Sequence, residues 1–263
     1  MSDEFAPALL TINGAIAEVR LNRPKALNAI NVEMAIALRD IFAELAQNTE
    51  VRAVILRGEG RVFMAGGDLN YFREASDKHA AAVALIEPIH EAVSLMASLP
   101  QIVIACLHGA VAGAGMSLAM AADLAVAEQG TVFNMAYAKV GNSPDCSGSW
   151  SLPRLVGVRR ALEIALLSDD LSAEQASDLG LINRLADKQE HDVEARKLAE
   201  RIVASSPAAM TNIKKLIRQS HDNNLSQQLN AEAEAFATTA AGENFSEALE
   251  AFFERRKPVF RGL

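Results

Sequence analysis

An alternation that stops does most to restrict the fold of this chain. From about Leu9 to Ala136, short apolar runs alternate with helical periodicities; from Ser147 onward the strand signal nearly disappears. Strand–helix–strand repetition implies an α/β core with right-handed crossovers. The helical remainder must lay its apolar faces on that core or on another subunit. In order, "LLTINGAIAEVRLN" alternates around Asn13-Gly14 and predicts a hairpin. Asn31 caps a helix from about Val32 to Gln47, with Met34, Leu38, Ile41, Phe42 and Leu45 on one face. "VRAVILRG" and "QIVIACLHG" are buried strands, and Leu85, Ile89, Val93 and Met96 mark a helix that ends before Pro100. A helix at about Gly115 to Ala121 precedes the strands "DLAVAE" and "TVFNMA". "LINRLA" is the one strand expected after Ser147, and no linker separates a second unit. The division is an α/β core over 1–200 and a helical region over 201–263.

Composition excludes several functions. With 263 residues, half of them hydrophobic and 22% charged, the chain can build one large globular core. A net charge of −8 repels a phosphate backbone, so no nucleic-acid partner is expected. A small anion in a local basic pocket stays open. Cys106 and Cys146 have no metal-ligand spacing and read as buried free thiols in a reducing cytoplasm. No metal is expected. "MSDEFAPALL" is unlike a targeting segment, and no apolar run reaches the roughly 20 residues of a membrane span.

Two glycine-rich stretches follow buried strands: "RVFMAGGDLN", Arg61 to Asn70, and "HGAVAGAGMSLA", His108 to Ala119. Neither has the spacing of a phosphate loop or a dinucleotide fingerprint. Gly113-Ala114-Gly115 lies where a strand hands over to a helix, and the amides of a first helical turn point outward with partial positive charge. Two such turns could aim two N–H groups at one oxygen, an oxyanion hole. Taken singly, each reads better as a tight turn with close helix–strand packing; the two together, both at strand ends, make the oxyanion reading competitive.

The chain resembles the crotonase superfamily, the enoyl-CoA hydratase/isomerase proteins. The resemblance runs from "LNRPKALNAI" through "GEGRVFMAGGDL", "IVIACLHGAVAGAGMSLAMAADLAVA", "LPRLVGVRRALEIALL" and "LSAEQASDLGLINRL" to "FFERRKPVF". It implies an α/β fold, a crotonase-like spiral of ββα units with a C-terminal helical trimerisation region. It implies a coenzyme A thioester as substrate, with no permanently bound cofactor. The backbone N–H groups at Gly67 and Ala114 would hold the thioester oxygen, with Ala65, Gly66 and Gly113 beside them among the substrate-binding positions. Asp68 would fix the first turn by bonding local backbone. Lys25, Ala26 and Leu27 match the cradle of the nucleotide end. Lys257, near the C-terminus, would meet a phosphate, while Phe253 would pack at an interface. The family assembles as trimers or dimers of trimers.

The resemblance also narrows the chemistry. Hydratases of the family use two glutamates; here those positions hold Ser117 and Tyr137, neither of which is a carboxylate base without an activating partner. An acid appears instead in "KVGNSPDCSGSW". Asp145 is either a helix N-cap or, from similarity to members reading "P-D-C-G-G-T-W", the single acid/base of an acyl-CoA double-bond isomerase, including those acting on ring epoxides of phenylacetate breakdown. Ser147 replaces the first glycine and would narrow the pocket. Aromatic dehalogenases of the superfamily offer a second reading, since they carry residues matching His90, Tyr137 and Asp145. In their signature, however, asparagine precedes the aspartate, and His90 reads as an ordinary helix histidine. A non-catalytic CoA-thioester binding protein and a hydratase with an atypical site are the remaining alternatives.

Overall fold

The computed structural model describes residues 6–262. The acidic opening, residues 1–5, on which part of the targeting argument rests, lies outside the described residues. The strands are β1 (Ala8–Asn13), β2 (Ile16–Leu21), β3 (Ala53–Gly58), β4 (Ile102–Leu107), β5 (Ala110–Ala112), β6 (Leu124–Glu128), β7 (Val132–Asn134), β8 (Leu171–Ser172) and β9 (Arg184–Ala186). The helices are α1 (Val32–Gln47), α2 (Leu69–Glu74), α3 (Lys78–Ser98), α4 (Ala114–Ala121), α5 (Gly148–Val156), α6 (Val158–Leu167), α7 (Ala173–Asp178), α8 (His191–Val203), α9 (Pro207–Gln219), α10 (Leu225–Ala240) and α11 (Glu243–Glu254).

β1 and β2 form the expected hairpin, with Asn13 opposite Ile16 and Gly14 in the left-handed region at φ +61°. All later strands of this sheet add in parallel, giving the order β1-β2-β3-β4-β6-β9. β4 is buried at all six positions, as a parallel strand covered on both faces must be. Alternate residues serve the two faces. Val54, Leu56, Val103, Ala105 and Leu107 join the core with Met34, Leu38 and Phe42 of α1 and Met96 of α3. Ile55, Ile104, Cys106 and Val126 pack under Ala195 and Ala199 of α8. Asn31 caps α1 as read, its side chain accepting from Met34 N. Helix α3 is long and apolar enough to cross a membrane by length and composition alone, but it packs along α1 in the core.

β5, β7 and β8 make a small second sheet. β8 lies in the stretch read as purely helical. Two residues carry no legible period, and Leu171 pairs because Phe133 lies across from it. "LINRLA" contributes only Arg184–Ala186. Val62 and Phe63, which open the first glycine-rich stretch, lie outside the strands, and Met64 makes one isolated bridge with Val111.

α9 is fastened to the core: Lys214 Nζ bonds Asp123 at 2.8 Å and the Gln101 carbonyl at 2.9 Å, and Arg218 bonds Asp123 at 2.7 Å. Burial pulls the Lys214 ammonium below its ordinary range, against the Asp123 carboxylate. Beyond α9 the chain is less covered. α10 buries no residue, and Phe236, Phe252 and Phe253 are exposed.

Candidate active site

The first glycine turn lies alongside the segment that follows β2. Ala65 N donates to Leu27 O (3.1 Å), Ile30 N to Gly66 O (2.8 Å) and Asp68 N to Ile30 O (2.9 Å). The Gly66 carbonyl is thus committed to Ile30. In a trans peptide the following N–H points the opposite way, so the Gly67 amide faces away from that segment. Among the described residues it meets no acceptor. Gly66 sits at φ +111°, a region that side-chain-bearing residues rarely enter.

The second turn repeats the device with a helix. Gly113, at φ +53°, donates to Asn134 O (2.9 Å), and its carbonyl accepts from Ser117 N (3.1 Å) as the first bond of α4. The Ala114 amide therefore projects from the helix start, again without an acceptor among the described residues. The turns touch: a β-carbon on Gly66 would lie 3.4 Å from the Ala112 carbonyl, and one on Gly113 3.4 Å from the Gly66 Cα. Gly115 seats α4 on the first turn, since a β-carbon there would be 2.5 Å from Met64 O. Two abutting turns thus each keep one uncommitted N–H. That is the donor set for an oxygen acquiring negative charge.

Asp68 fixes its turn locally, as read. One oxygen accepts from Asn70 N at 3.1 Å and caps α2; the other pairs with Arg23 at 2.9 Å. Lys25 and Ala26 form the 3₁₀ turn Pro24–Ala26, and Leu27 and Asn28 follow in the left-handed region at φ 54° and 53°. Lys25 is exposed. Sequence reasoning missed Arg23 and Asn28. Asn28 is fully buried, and its amide donates to the carbonyls of Glu59, Val62 and Phe63 while its oxygen accepts from Arg23 N. Asparagine is one of few residues that tolerate the left-handed conformation, the one available clue.

Asp145 lies half-buried just before α5, and its side chain does not cap that helix. The N-cap residue is Ser147, at φ 68°, and the Asp145 main-chain carbonyl closes the turn with Gly148 N at 2.8 Å. The carboxylate instead accepts from the Tyr137 hydroxyl, which also bonds Ser117 Oγ at 3.0 Å. Burial, and then the nearby Asp145 charge, pushes the Tyr137 phenol far up, so it stays a proton donor. Ser117 is fully buried, walled in by Gly148, whose added β-carbon would sit 2.4 Å from Ser117 Oγ. Ser147 turns its hydroxyl to Ser151 (3.0 Å), back along its own helix.

His90 lies exposed on α3, as an ordinary helix histidine would. Its Nε2 accepts from Cys146 N at 3.3 Å, which brings the ring to the residue next to Asp145 in sequence. The distance between them in sequence hid this. The Cys146 thiol is raised by burial and then by Asp145, and is no nucleophile there. Lys257 follows α11 in an exposed stretch, and among the described residues its side chain bonds none of these groups.

The cysteine spacing read as carrying no metal leaves out a cluster that the fold assembles: Cys106, His191 and Asp192 bring ligand-type atoms within 4.8 Å. It arises from β4 and the start of α8, so no linear pattern announces it. Two of its three members are already paired, while His191 Nδ1 is buried without a hydrogen-bond partner. Cys106 Sγ donates to Asp192 (3.3 Å), and Arg57 pairs with the same oxygen at 3.1 Å. Burial holds the Cys106 thiol protonated.

An α/β shell with two bare glycine-turn amides is the layout of the crotonase fold. The enoyl-CoA hydratase/isomerase family profile matches residues 11–262. The chain is 33% identical over 256 residues to the 1,2-epoxyphenylacetyl-CoA isomerase of Escherichia coli strain K12, covering 95% of this chain and 97% of that protein. It is 29% identical to a short-chain-enoyl-CoA hydratase of Clostridium acetobutylicum, covering 97% of each. An enoyl-CoA hydratase structure from Polaromonas sp. JS666 superposes with a TM-score of 0.91 at 36% identity, covering 97% of this chain and 99% of that one. The chain belongs to the enoyl-CoA hydratase/isomerase family, within the crotonase superfamily.

Proposed function

We propose that this protein is an acyl-CoA double-bond isomerase in which Asp145 is the single acid/base and the Gly67 and Ala114 amides form the oxyanion hole. The observation that carries this is the Asp145–Tyr137–Ser117 chain: the glutamate positions of hydratases hold a phenol and a buried hydroxyl that serve one carboxylate. The thioester oxygen of the substrate accepts from the two amides. Asp145 takes a proton from a carbon α or γ to that carbonyl. Electrons of the broken C–H bond move into the conjugated system, and the negative charge settles on the oxygen. The same carboxylate returns the proton to a different carbon. No water is added, so one base suffices. The similarity to the epoxyphenylacetyl-CoA isomerase supports extending the substrate class to ring-type acyl groups.

Lys25, Ala26, Leu27 and Lys257 are assigned to the nucleotide end of coenzyme A. The exposed faces of α9, α10 and α11 support a homotrimer or dimer of trimers, with a hollow of about 570 Å³ between α9 and α10 lined by Ile213, Leu216, Leu229 and Phe236. In this reading 1–200 is the catalytic core, 201–263 the oligomerisation region, and the protein works in the cytoplasm.

A second reading has one observation in its favour: His90, Tyr137 and Asp145 stand together, the residue set of aromatic acyl-CoA dehalogenases. Against it, the His90 lone pair is occupied by Cys146 N–H.

The test is a product assay in D₂O with a 3-enoyl-CoA, a 2-enoyl-CoA and a 4-halobenzoyl-CoA, read by mass spectrometry. Double-bond migration with deuterium exchange and no gain of water, abolished in Asp145→Asn, supports the isomerase. Rapid formation of a hydroxyacyl-CoA refutes it in favour of a hydratase, and halide release refutes it in favour of the second reading. Tight thioester binding without turnover would make it a binding protein.

A further inference from the structure

We propose that Arg23 and Asp68 are positioning residues that aim the Gly67 amide at the thioester oxygen; this rests on the oxyanion reading above. The direction of that amide is set at one remove. The peptide joining Gly66 and Gly67 is oriented by its carbonyl, which Ile30 N holds at 2.8 Å, and the pairing resumes at Asp68 N on Ile30 O. A slip of this pairing by one peptide would turn the N–H toward Ile30 and put a carbonyl where the donor belongs. Two adjacent glycines give the turn little stiffness of its own against such a slip.

The guanidinium of Arg23 spans both segments. Nη1 donates to the Ala29 carbonyl, beside Ile30, while Nη2 pairs with Asp68 Oδ2 at 2.9 Å, beside Gly67. A planar fork with fixed spacing between donors suits the setting of register. Both partners are largely buried, with side-chain exposures of 22% and 15%, so solvent screens the pair little. Asp68 divides its work: Oδ1 caps α2 through Asn70 N, and Oδ2 takes the ion pair. Asn28 anchors the same segment from behind, accepting from Arg23 N. The clamped segment includes Lys25 to Leu27, so occupancy of the nucleotide cradle would reinforce the aim of the amide.

A probe that does not react separates positioning from both turnover and folding. A saturated acyl-CoA carrying carbon-13 at the thioester carbonyl is bound to the native protein, and its stretching frequency is read by infrared difference spectroscopy. The parent protein should lower the frequency. Arg23→Gln and Asp68→Asn should lose most of that lowering while binding the thioester within about twofold of the parent, because the interaction lost is one that strengthens toward the transition state. In turnover the same variants should lose roughly 100-fold in kcat, the scale of a misplacement near 1 Å, with KM little changed. Arg23→Lys, which keeps the charge without the fork, should fall between. Variants that melt earlier but keep the carbonyl shift and kcat would overturn the proposal and leave the pair a structural salt bridge. If either variant fails to fold, the other carries the test, since Asp68→Asn retains an oxygen for the α2 cap. Absence of any lowering in the parent would refute the oxyanion reading itself, and this inference with it.

Discussion

Replacing Asn28 by alanine should be the costliest single polar substitution near the site. The side chain is fully buried, and its amide serves the carbonyls of Glu59 (2.9 Å), Val62 (2.9 Å) and Phe63 (3.1 Å) while its oxygen serves Arg23 N (2.9 Å). Alanine strands Arg23 N–H and at least one carbonyl, each costing about 1–3 kcal/mol when left buried without a partner. It also places a β-branchless but less tolerant residue at φ 53°, adding about 1 kcal/mol. The sum is about 4 kcal/mol, which lowers Tm by about 12 °C for a chain of this size. Thermal unfolding followed by circular dichroism at two protein concentrations would read this apart from subunit dissociation. Asn28→Asp sharpens the test, because a near-isosteric carboxylate would face three carbonyls and should be at least as destabilising as alanine. A Tm loss under about 2 °C for alanine, or a milder effect for aspartate, would show that Asn28 is not the hub the geometry describes.

Other expectations follow from single contacts. Ala114→Pro removes one amide hydrogen at the first position of α4, where proline is well accepted; kcat should fall by about 10²–10³ with the Tm nearly unchanged, and loss of fold instead would contradict the assigned helix start. Gly148→Ala drives a β-carbon to 2.4 Å from Ser117 Oγ, costing about 1–3 kcal/mol; adding Ser117→Ala should recover much of that in a double-mutant cycle of urea unfolding, and strict additivity would refute the contact. The Arg256 guanidinium, followed by Val259 N–H, holds the Glu247 carboxyl down to about 2, below an ordinary 4.5. This C-terminal hook is therefore intact above about pH 4.5 and opens as pH falls toward 2, seen as faster amide exchange at Val259; Glu247→Gln should exchange fast at all pH values.

The long periodic elements were legible in the chain because their signals are local. The apolar stripe of α1 and its Asn31 cap, the Asn13-Gly14 hairpin and the β3 and β4 runs all declare themselves within one window. Short elements did not, since β8 pairs two residues whose only reason to be extended is Phe133 across from them. The glycine turns were visible, but their shared purpose was not derivable from either one. Arg23 was missed, and the contact made by His90 was not foreseen, for a common reason: each meets a partner more than 40 residues away, His90 at Cys146 and Arg23 at Asp68. The same distance hid the cluster of Cys106 with Asp192. Asp145 was singled out through its surrounding "PDC" context, yet only the folded geometry removed the helix-cap alternative.

The two uncommitted donors at Gly67 and Ala114 belong to the main chain, and this shapes what genetics can see. A saturation library screened for loss of function would record side-chain tolerance at these codons and understate them, because nearly every replacement keeps the N–H. In the proposed reading the centre of the site is thus insulated from ordinary point mutation, while Asp145, Tyr137 and Ser117 around it are free to drift one codon at a time. If the two amides are the proposed oxyanion hole, lineages descending from such a chain can exchange one reaction for another without ever passing through a state that lacks it.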